Sequence, residues 1–491
     1  MPAPVFKNGP GIRLPFNHSL PRQVLTMTHF IKSLLMLLAL SLASWQASAD
    51  DLFDILQLAL DNDPVLRQAE ASYRSNRETM VQTRSALLPN LGAGGGTSRL
   101  TSGPTSSIYR NVTNPMTGES MRVLVQREHS FSNGVNNHNW GISLNQSVLN
   151  LANWYNFQSA RATNRAAAVN LAAQEQELIM RVATAYFDVL RALDLLEVNI
   201  QEEEAAQRSF EQTSQREEVG LVAITDVYDA QAAYDLARNT TILQADILRS
   251  RYEVLEAITG QSHPEIDVLR DDFPILDVEG SLEEWESQAM ENSLAVTAAE
   301  FNLDASRKTL QARKSDRLPT IDFVGQFGHF ATQPIVSQGI QIGGGSSDRT
   351  QLALNLSIPI YSGGAMRSRQ RAAEYGVMAA EESLELTERQ LIQNIRNAYR
   401  RVATDVLVIA QRQQSITSAQ SSLEATELGA EVGTRNIVEV LRAREILFRA
   451  LRAYAEARYN YVIDSLILKQ VAGILTPQDI IELNAWLQEG E

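Results

Sequence analysis

The sequence predicts a mainly α-helical protein with a smaller β part, arranged as a unit that occurs twice in the chain. The helical part is predicted by a long stretch without Gly or Pro, from Ile142 to Val219, and by the lack of Pro between Pro359 and Pro477. The β part is predicted by short stretches in which apolar and polar residues alternate. The duplication is predicted because the whole pattern recurs further along the chain.

The N-terminal residues have the features of a secretory signal followed by a cleavage site. A short apolar run, Leu34 to Trp45, is preceded by Lys32 and followed by Ala47-Ser48-Ala49. The run is shorter than the about 20 apolar residues that a membrane-spanning helix needs. We therefore expect residues 1–49 to be an upstream segment plus signal peptide, with translation starting at Met27 and cleavage after Ala49.

Composition excludes several classes of function. Loss of residues 1–49 would remove four basic residues and no acidic one, so the net charge would change from −15 to −19. A chain this acidic is not expected to bind nucleic acid. It contains no Cys, which excludes disulfides, thiol catalysis and thiolate metal sites. No cofactor motif, metal-ligand spacing or catalytic constellation is present, so we expect no enzyme, no metal and no cofactor.

Landmarks that recur along the chain define the two copies. Residues Leu52–Pro89 resemble Leu282–Pro319, and Val219-Gly220 recurs as Val432-Gly433. The offset between the first pair is larger than the offset between the second, so the first copy holds an insertion between its Pro and Val-Gly landmarks. We expect a first repeat at 50–261, a linking equatorial segment at 262–281, a second repeat at 282–473, and a C-terminal equatorial segment at 474–491.

Each copy is expected to begin with a helix and continue with two strands. The first helix runs from Leu52 to about Leu87 and ends before Pro89, because proline cannot donate the next helical hydrogen bond. Four strands of about ten residues are predicted, around Leu91–Leu100, Trp140–Asn145, Ile321–Phe327 and Leu352–Ile358. The first is rich in Gly, and only its position in the repeat predicts it.

The second part of each copy is predicted to be a very long helical hairpin. A helix of about 65 residues from Ala152 would be roughly 100 Å long. Apolar residues then recur every seven positions, which is typical of a coiled-coil seam; they are Val182, Val189 and Leu196 in the first copy and Ile395, Val402, Ile409, Ile416 and Leu423 in the second. Return helices follow at Thr225–Thr259 and Ile437–Ala472, so the hairpin tips lie at Gly220 and Gly433.

Four strands cannot close a barrel, and an open sheet edge in lipid leaves backbone groups unpaired at several kcal/mol each. No segment after the signal is apolar enough for a spanning helix. If the exported chain enters a membrane, it must therefore do so by sharing a barrel with copies of itself.

Two motifs at the tips, Val219–Val227 and Val432–Val440, and a third, Ala457–Tyr461, closely resemble the TolC family of outer-membrane efflux proteins. The resemblance runs from about Leu52 to Leu487 and includes the duplication. It implies a homotrimer in the outer membrane, with a twelve-stranded β-barrel joined to a long periplasmic α-helical barrel. The loops at about 101–136 and 331–349 would face outward.

The resemblance also implies roles for residues at the tips. Glu439 falls on an acidic ring that narrows the channel, and Arg442 falls on a second ring position that is acidic in the family. Asp226 and Arg435 match an ion pair that holds neighbouring hairpins closed, while Ala430 replaces a Tyr of that latch. Adaptor docking would use the tip residues Val219, Gly220, Leu221, Val432, Gly433 and Thr434.

The function that the resemblance implies is a passive export duct for multidrug efflux or type I protein secretion. It would be opened by a periplasmic adaptor together with an inner-membrane efflux pump or ABC exporter. The alternatives are a periplasmic coiled-coil adaptor or structural protein without a pore, which needs no strands, and a periplasmic hydrolase.

Overall fold

A computed structural model describes residues 51–101, 106–127, 134–337 and 340–488. The expected signal peptide, start at Met27 and cleavage after Ala49 lie outside the described residues. In the described part of the chain, no helix combines the length and apolar character needed to cross a membrane.

Nine helices account for most of the described residues. They are α1 Leu52–Asn62, α2 Pro64–Ser85, α3 Leu151–Glu218, α4 Ile224–Thr259, α5 Leu282–Asn292, α6 Leu294–Ser315, α7 Ala365–Glu431, α8 Ile437–Val471 and α9 Pro477–Asn484. The two longest, α3 with 68 residues and α7 with 67, each extend roughly 100 Å at 1.5 Å per residue. The long hairpins predicted from the sequence are therefore α3–α4 and α7–α8.

The first helix of each copy differs from its prediction because it is broken into two. Asp63 and Ser293 have extended backbones at the breaks, and their side chains accept hydrogen bonds from Leu66 N and Val296 N. In the first copy Pro64 occupies the first turn of α2, where its missing N–H is harmless. A buried ion pair from Asp63 to Arg181 on α3, at 2.8 Å, holds the first break against the hairpin.

Within the described ranges, ten strands form one large sheet and three two-stranded ribbons. In chain order they are β1 Asn90–Leu100, β2 Ser106–Thr113, β3 Ser120–Arg127, β4 Val135–Leu149, β5 Val268–Leu269, β6 Thr320–Thr332, β7 Ile335–Ser337, β8 Ile340–Ile342, β9 Gly345–Ser357 and β10 Leu487–Gln488. The large sheet is antiparallel with the order β1-β4-β6-β9, and these are the four strands that the sequence predicts. Strands β1 and β9 lie at its two edges.

The large sheet has one apolar and one polar face. Register pairs Trp140 with His329 and Ile142 with Phe327, and it pairs Phe323 with Leu354 on the same face. The residues between them, on the other face, are mainly Asn, Ser, Gln and Gly. The apolar face is uncovered in one chain: Leu352, Leu354 and Leu356 are 63–72% exposed.

The ribbons lie in regions that the sequence left without strands. The β2–β3 ribbon lies in the inserted segment of the first copy, and β7–β8 lies in the matching loop of the second. Strands β5 and β10 pair with each other, so the two segments expected to be equatorial are joined. The predicted domain boundaries themselves remain a prediction.

The core lies where the two hairpins and the equatorial segments meet. Of the eight predicted seam residues, Val182, Val189, Ile395, Val402 and Ile409 are at most 5% exposed. The remaining three, Leu196, Ile416 and Leu423, lie nearer the tips and are only half-buried. Around them pack large buried rings and aliphatic side chains, among them Tyr186, Phe187, Tyr459, Leu190 and Leu255.

Polar contacts also join the two hairpins, from α8 to α3. The Tyr459 hydroxyl donates to Asp194 at 2.8 Å, and burial raises the pKa of that carboxyl. Arg452 contacts both Asn199 and Glu202. These charge-assisted hydrogen bonds are largely buried, so they join the second hairpin to the first in addition to the contacts within each hairpin.

Candidate functional site at the hairpin tips

Both hairpin tips use the same backbone turn. In the first, Gly220 N donates to Glu217 O at 2.7 Å and Leu221 N donates to Arg216 O at 2.8 Å. In the second, Gly433 N and Thr434 N make the equivalent bonds at 3.2 and 2.8 Å. This Schellman arrangement needs a left-handed residue, and Gly220 and Gly433 have φ of 74° and 76°. The Val-Gly repeat in the sequence is therefore a helix-ending signal.

The tips expose apolar side chains to solvent. Val219, Leu221 and Val432 are 70%, 72% and 75% exposed, although each belongs to a turn with fixed hydrogen bonds. Single exposed apolar residues need no special explanation, but here Val219 and Val432 are exposed at matching positions of the two tips, with Leu221 beside the first, and this repetition favours a contact surface. The structure thus places these predicted docking residues where a partner can reach them.

The return helices begin differently at the two tips. At the second tip Asn436 caps α8, because its side-chain oxygen accepts from Glu439 N at 2.9 Å. At the equivalent position of the first tip, Ala223 makes no side-chain cap. Asp226 lies in the first turn of α4, where a carboxylate is favoured by the helix dipole.

The predicted latch and constriction residues meet within one chain in an unexpected way. Arg435 pairs with Glu439 at 3.1 Å, one helical turn along α8. The described residues of one chain do not pair Arg435 with Asp226, so that latch would have to form between neighbouring chains. Arg442 lies three residues beyond Glu439 on the same helix. Arg435 also packs closely on Gly429, where a Cβ would lie 2.7 Å from its Cγ.

Sequence reasoning missed a pair of ionic contacts near the middle of the hairpins. Asp188 on α3 pairs with Arg251 on α4 at 3.5 Å, and Arg401 on α7 pairs with Asp464 on α8 at 3.6 Å. Both members of the second pair follow their counterparts at the same offset that separates Gly220 from Gly433, so the pairs occupy the same place with their charges exchanged. The offset that identified the tips would have identified them too.

The second hairpin adds a carboxyl at this level. Asp405 lies in the seam between Val402 and Ile409, beside Asp464, and its Oδ2 is buried without a hydrogen-bond partner. Burial, and then the neighbouring Asp464 carboxylate, raise the pKa of Asp405 from 3.8 to about 6. The first hairpin has the buried Ala192 there.

The described residues contain no group of three or more His, Asp or Glu that could hold a metal ion. His263, although buried, is hydrogen-bonded to Thr259 at 2.8 Å. His329 is paired with Asp348 on the sheet at 2.6 Å.

A sheet with one uncovered apolar face, joined to two helical hairpins whose longer helices extend roughly 100 Å and whose tips match, defines an outer-membrane channel with a long periplasmic extension. The family is shown by comparison: the model described as "Outer membrane efflux protein" matches residues 55–261 and 285–474. The chain belongs to the outer membrane efflux protein family, of the TolC type.

Individual relatives agree with this assignment. The chain is 33% identical to "Outer membrane protein TolC" of Vibrio cholerae, over 91% of this chain and 96% of that protein. It is 26% identical to "Proteases secretion protein PrtF" of Dickeya chrysanthemi, over 93% of this chain and 95% of that protein. Among solved structures, the Campylobacter jejuni CmeC outer membrane channel superposes with a TM-score of 0.71 at 17% identity, covering 90% of this chain and 91% of that one.

Membership in the family makes this chain an outer-membrane efflux or secretion channel and not an enzyme. The resemblance read from the sequence is thereby confirmed, as are the mainly helical fold with antiparallel strands and the location in the outer membrane. The coiled-coil adaptor without strands does not fit, because the chain has the four-stranded sheet. The roles of the individual tip residues remain predictions.

Proposed function

We propose that three copies of this chain form one passive duct, with twelve strands in a shared barrel and twelve helices around a periplasmic tunnel. The supporting observation is the sheet itself: β1 and β9 leave 11- and 13-residue edges unpaired in one chain. Each unpaired backbone group would cost several kcal/mol in lipid, whereas β9 of one copy can pair with β1 of the next.

The trimer is tested by extracting the protein in mild detergent and measuring its mass without heating, together with its conductance in planar bilayers. We expect a species of three chains that opens pores and falls to one chain on boiling. A monomer without conductance would contradict the proposal.

The narrowest point of the duct would lie at the tips of the second hairpin, where three copies of Glu439 and Arg442 come together. Rings of like charge select ions of opposite sign. Here the rings have opposite signs, and Arg435 already neutralises part of the Glu439 charge at 3.1 Å. We expect weaker cation selectivity than two acidic rings would give.

Single-channel recordings test this constriction. Glu439→Gln should shift the reversal potential in a KCl gradient toward anion preference, and Arg442→Ala should shift it toward cation preference. The matched control is Glu445→Gln, whose side chain already pairs with Arg449 on the same helix farther from the tip. If Glu439→Gln and Arg442→Ala both match the wild type, these residues do not line the constriction.

The closed state would be held by Asp226 of one copy and Arg435 of the next. For this contact Arg435 must turn away from Glu439, so closing the latch would also free the Glu439 carboxylate. With Ala430 in place of a Tyr, one hydrogen bond of the family's latch is missing. Asp226→Ala should therefore raise the permeability of cells to bulky antibiotics; unchanged permeability would argue against the latch.

Energy and cargo would come from partners: a periplasmic adaptor docked on the tips, and an inner-membrane efflux pump or ABC exporter behind it. Support comes from the exposed Val219, Leu221 and Val432 and from the tip turn shared by both hairpins. Resemblance to a proteases secretion protein as well as to TolC supports cargo that includes drugs, secreted polypeptides or both.

Docking is tested with Leu221→Asp together with Val432→Asp. We expect efflux and secretion in cells to fall to the level of a gene deletion, while pores in bilayers and the amount of trimer remain normal. Transport that survives both changes would show that the adaptor binds elsewhere.

A further inference from the structure

The polar face of the large sheet carries very little charge. In residues 90–100, 135–149, 320–332 and 345–357, the strand register assigns only Asp322 and Arg349 to that face among Asp, Glu, Lys and Arg. Arg99 and Asp348 belong to the other face. The remaining polar-face residues are neutral, so each of these two charges acts without close competition from its own strands.

Arg349 lies near the end of the sheet that is far from the helices. Strand β9 runs from Gly345 to Ser357 before α7 begins at Ala365, so Arg349 is close to the loop end. Asp322, near the start of β6, lies at the helical end. Asp322 pairs with Asn355 on β9, six residues from Arg349 along that strand, so the two charges are roughly 20 Å apart at about 3.3 Å per residue.

Among the described residues, no side chain pairs with the Arg349 guanidinium. Its cross-strand partner is Gly328, which is followed in the same row by Gly141 and Gly94, so no side chain in that row covers it. The guanidinium lies 5.7 Å from the centre of the Phe330 ring, which holds the cation on the polar face without neutralising it. The space beside this row is a cavity of about 450 Å³ that also reaches Gln351.

We propose that Arg349 sets the charge selectivity of the duct at its outer end, where three copies form a positive ring that favours anions. This rests on the proposed trimer, in which the polar face lines the channel. The ring acts in opposition to Glu439 at the periplasmic end, so the two ends of the duct attract ions of opposite sign. A charge on the wall acts over the screening length, which is about 10 Å at 0.1 M salt and about 30 Å at 0.01 M.

The test is the reversal potential of single channels in a tenfold KCl gradient with 10 mM on the side of the outer loops. Arg349→Gln should raise the ratio of K⁺ to Cl⁻ permeability about twofold, and Arg349→Glu should raise it further, because the ring charge changes by three and six units. Arg349→Lys should keep the wild-type ratio. The difference should shrink when both solutions contain 1 M salt, where screening is about 3 Å.

Asp348→Asn is the matched control. It changes charge one residue away but on the other face of the sheet, where Asp348 pairs with His329, so it should shift the permeability ratio much less than Arg349→Gln does. If Asp348→Asn shifts the ratio as much as Arg349→Gln does, general surface charge explains the effect and the inference is wrong. If the Arg349 variants form pores with the wild-type permeability ratio, this inference is wrong and the proposed trimer is unaffected. If the wild type forms no pores, the proposed trimer is wrong.

Discussion

The two hairpins share one backbone plan but hold their helices together with different polar contacts. Hairpin one, α3–α4, places Asp188 against Arg251, and Arg191 joins the same carboxylate from the next turn. Hairpin two, α7–α8, reverses the charges with Arg401 and Asp464. Both keep the buried seven-residue seam.

The fold requires the apolar seam, which both hairpins keep, but not a particular polarity of the ion pair, which differs between them. The seam is kept in both copies because it removes apolar surface from water where the two helices of each hairpin pack, at 182–189 and 395–409. An ion pair at the edge of the seam requires only complementary charges, so its polarity can change between copies. Asp405, where hairpin one has Ala192, is the position at which the second copy departs furthest, since it adds a carboxyl to the seam itself.

The largest expected effect comes from removing the acid of hairpin one. Asp188→Asn leaves Arg191 and Arg251 facing each other without their shared carboxylate, and Asp188 is only 18% exposed. We expect a loss of about 2 kcal/mol in the free energy of unfolding, measured by denaturant titration of the detergent-solubilised protein. Asp464→Asn removes the acid of the ion pair in hairpin two. We expect it to leave stability at pH 7.5 unchanged or higher, because it removes the repulsion between the Asp464 and Asp405 carboxylates. If it destabilised the protein as much as Asp188→Asn does, the proposed difference between the hairpins would be wrong.

Asp405 should make the second hairpin sensitive to pH. Its pKa of about 6 in the folded protein exceeds the ordinary 3.8, so the folded state binds the proton more tightly and stability falls as pH rises from about 4 through 6. The charged groups acting on it are Asp464, which raises the pKa, and Arg401, which lowers it.

Asp405→Asn should therefore raise stability at pH 7.5 by about 1–2 kcal/mol, after allowance for solvent screening, and flatten the pH profile between 4 and 7. Thermal midpoints measured at unit steps of pH check this. Asp229→Asn, an exposed change on hairpin one, is the control and should leave the profile as it is. If the thermal midpoint of the Asp405→Asn protein changed with pH as steeply as that of the wild type, the interaction between Asp405 and Asp464 would not be the cause of the pH dependence.

A smaller effect is expected from the caps at the tips. Asn436→Ala should cost about 1 kcal/mol, and Ala223→Asn should stabilise the first tip by about 0.5–1 kcal/mol. Hydrogen exchange of the first-turn amides of α8 and α4 measures each locally. If the first-turn amides of α4 and α8 exchanged at equal rates in the wild type, the Asn436 cap would not make the second tip more stable than the first.

The smallest effect is expected from the Arg435–Glu439 pair. Its side chains are 60% and 42% exposed, so Glu439→Gln should change stability by less than about 0.5 kcal/mol. Combined with the altered ion selectivity expected of the same substitution, an unchanged melting curve would separate a role in conduction from one in folding. A loss above about 1 kcal/mol, beyond what an exposed pair contributes, would show that the pair is structural.

Much of this architecture could be read from residue patterns. The tip turns follow from Val219-Gly220 and Val432-Gly433, because only a residue that tolerates positive φ ends a helix in this way. The Gly-rich β1 was predicted only because Pro89 and Pro319 occupy matching positions. The break at Asp63 was missed although Asp-Pro is a helix-start signal, because the apolar periodicity continues on both sides of it.

The sequence by itself determined the spacing of apolar residues, which is seven along the hairpins and two along the strands. It also determined the constant offset that relates the hairpin of the first copy to the hairpin of the second. Such spacing follows from the local geometry of helices and strands, so it is visible in the order of residues alone. Only the tertiary structure decided which polar groups meet. Asp405 on α7 approaches Asp464 on α8, and Asp188 on α3 approaches Arg251 on α4. Such contacts depend on how helices distant in sequence are placed against one another and on which charges remain exposed to water.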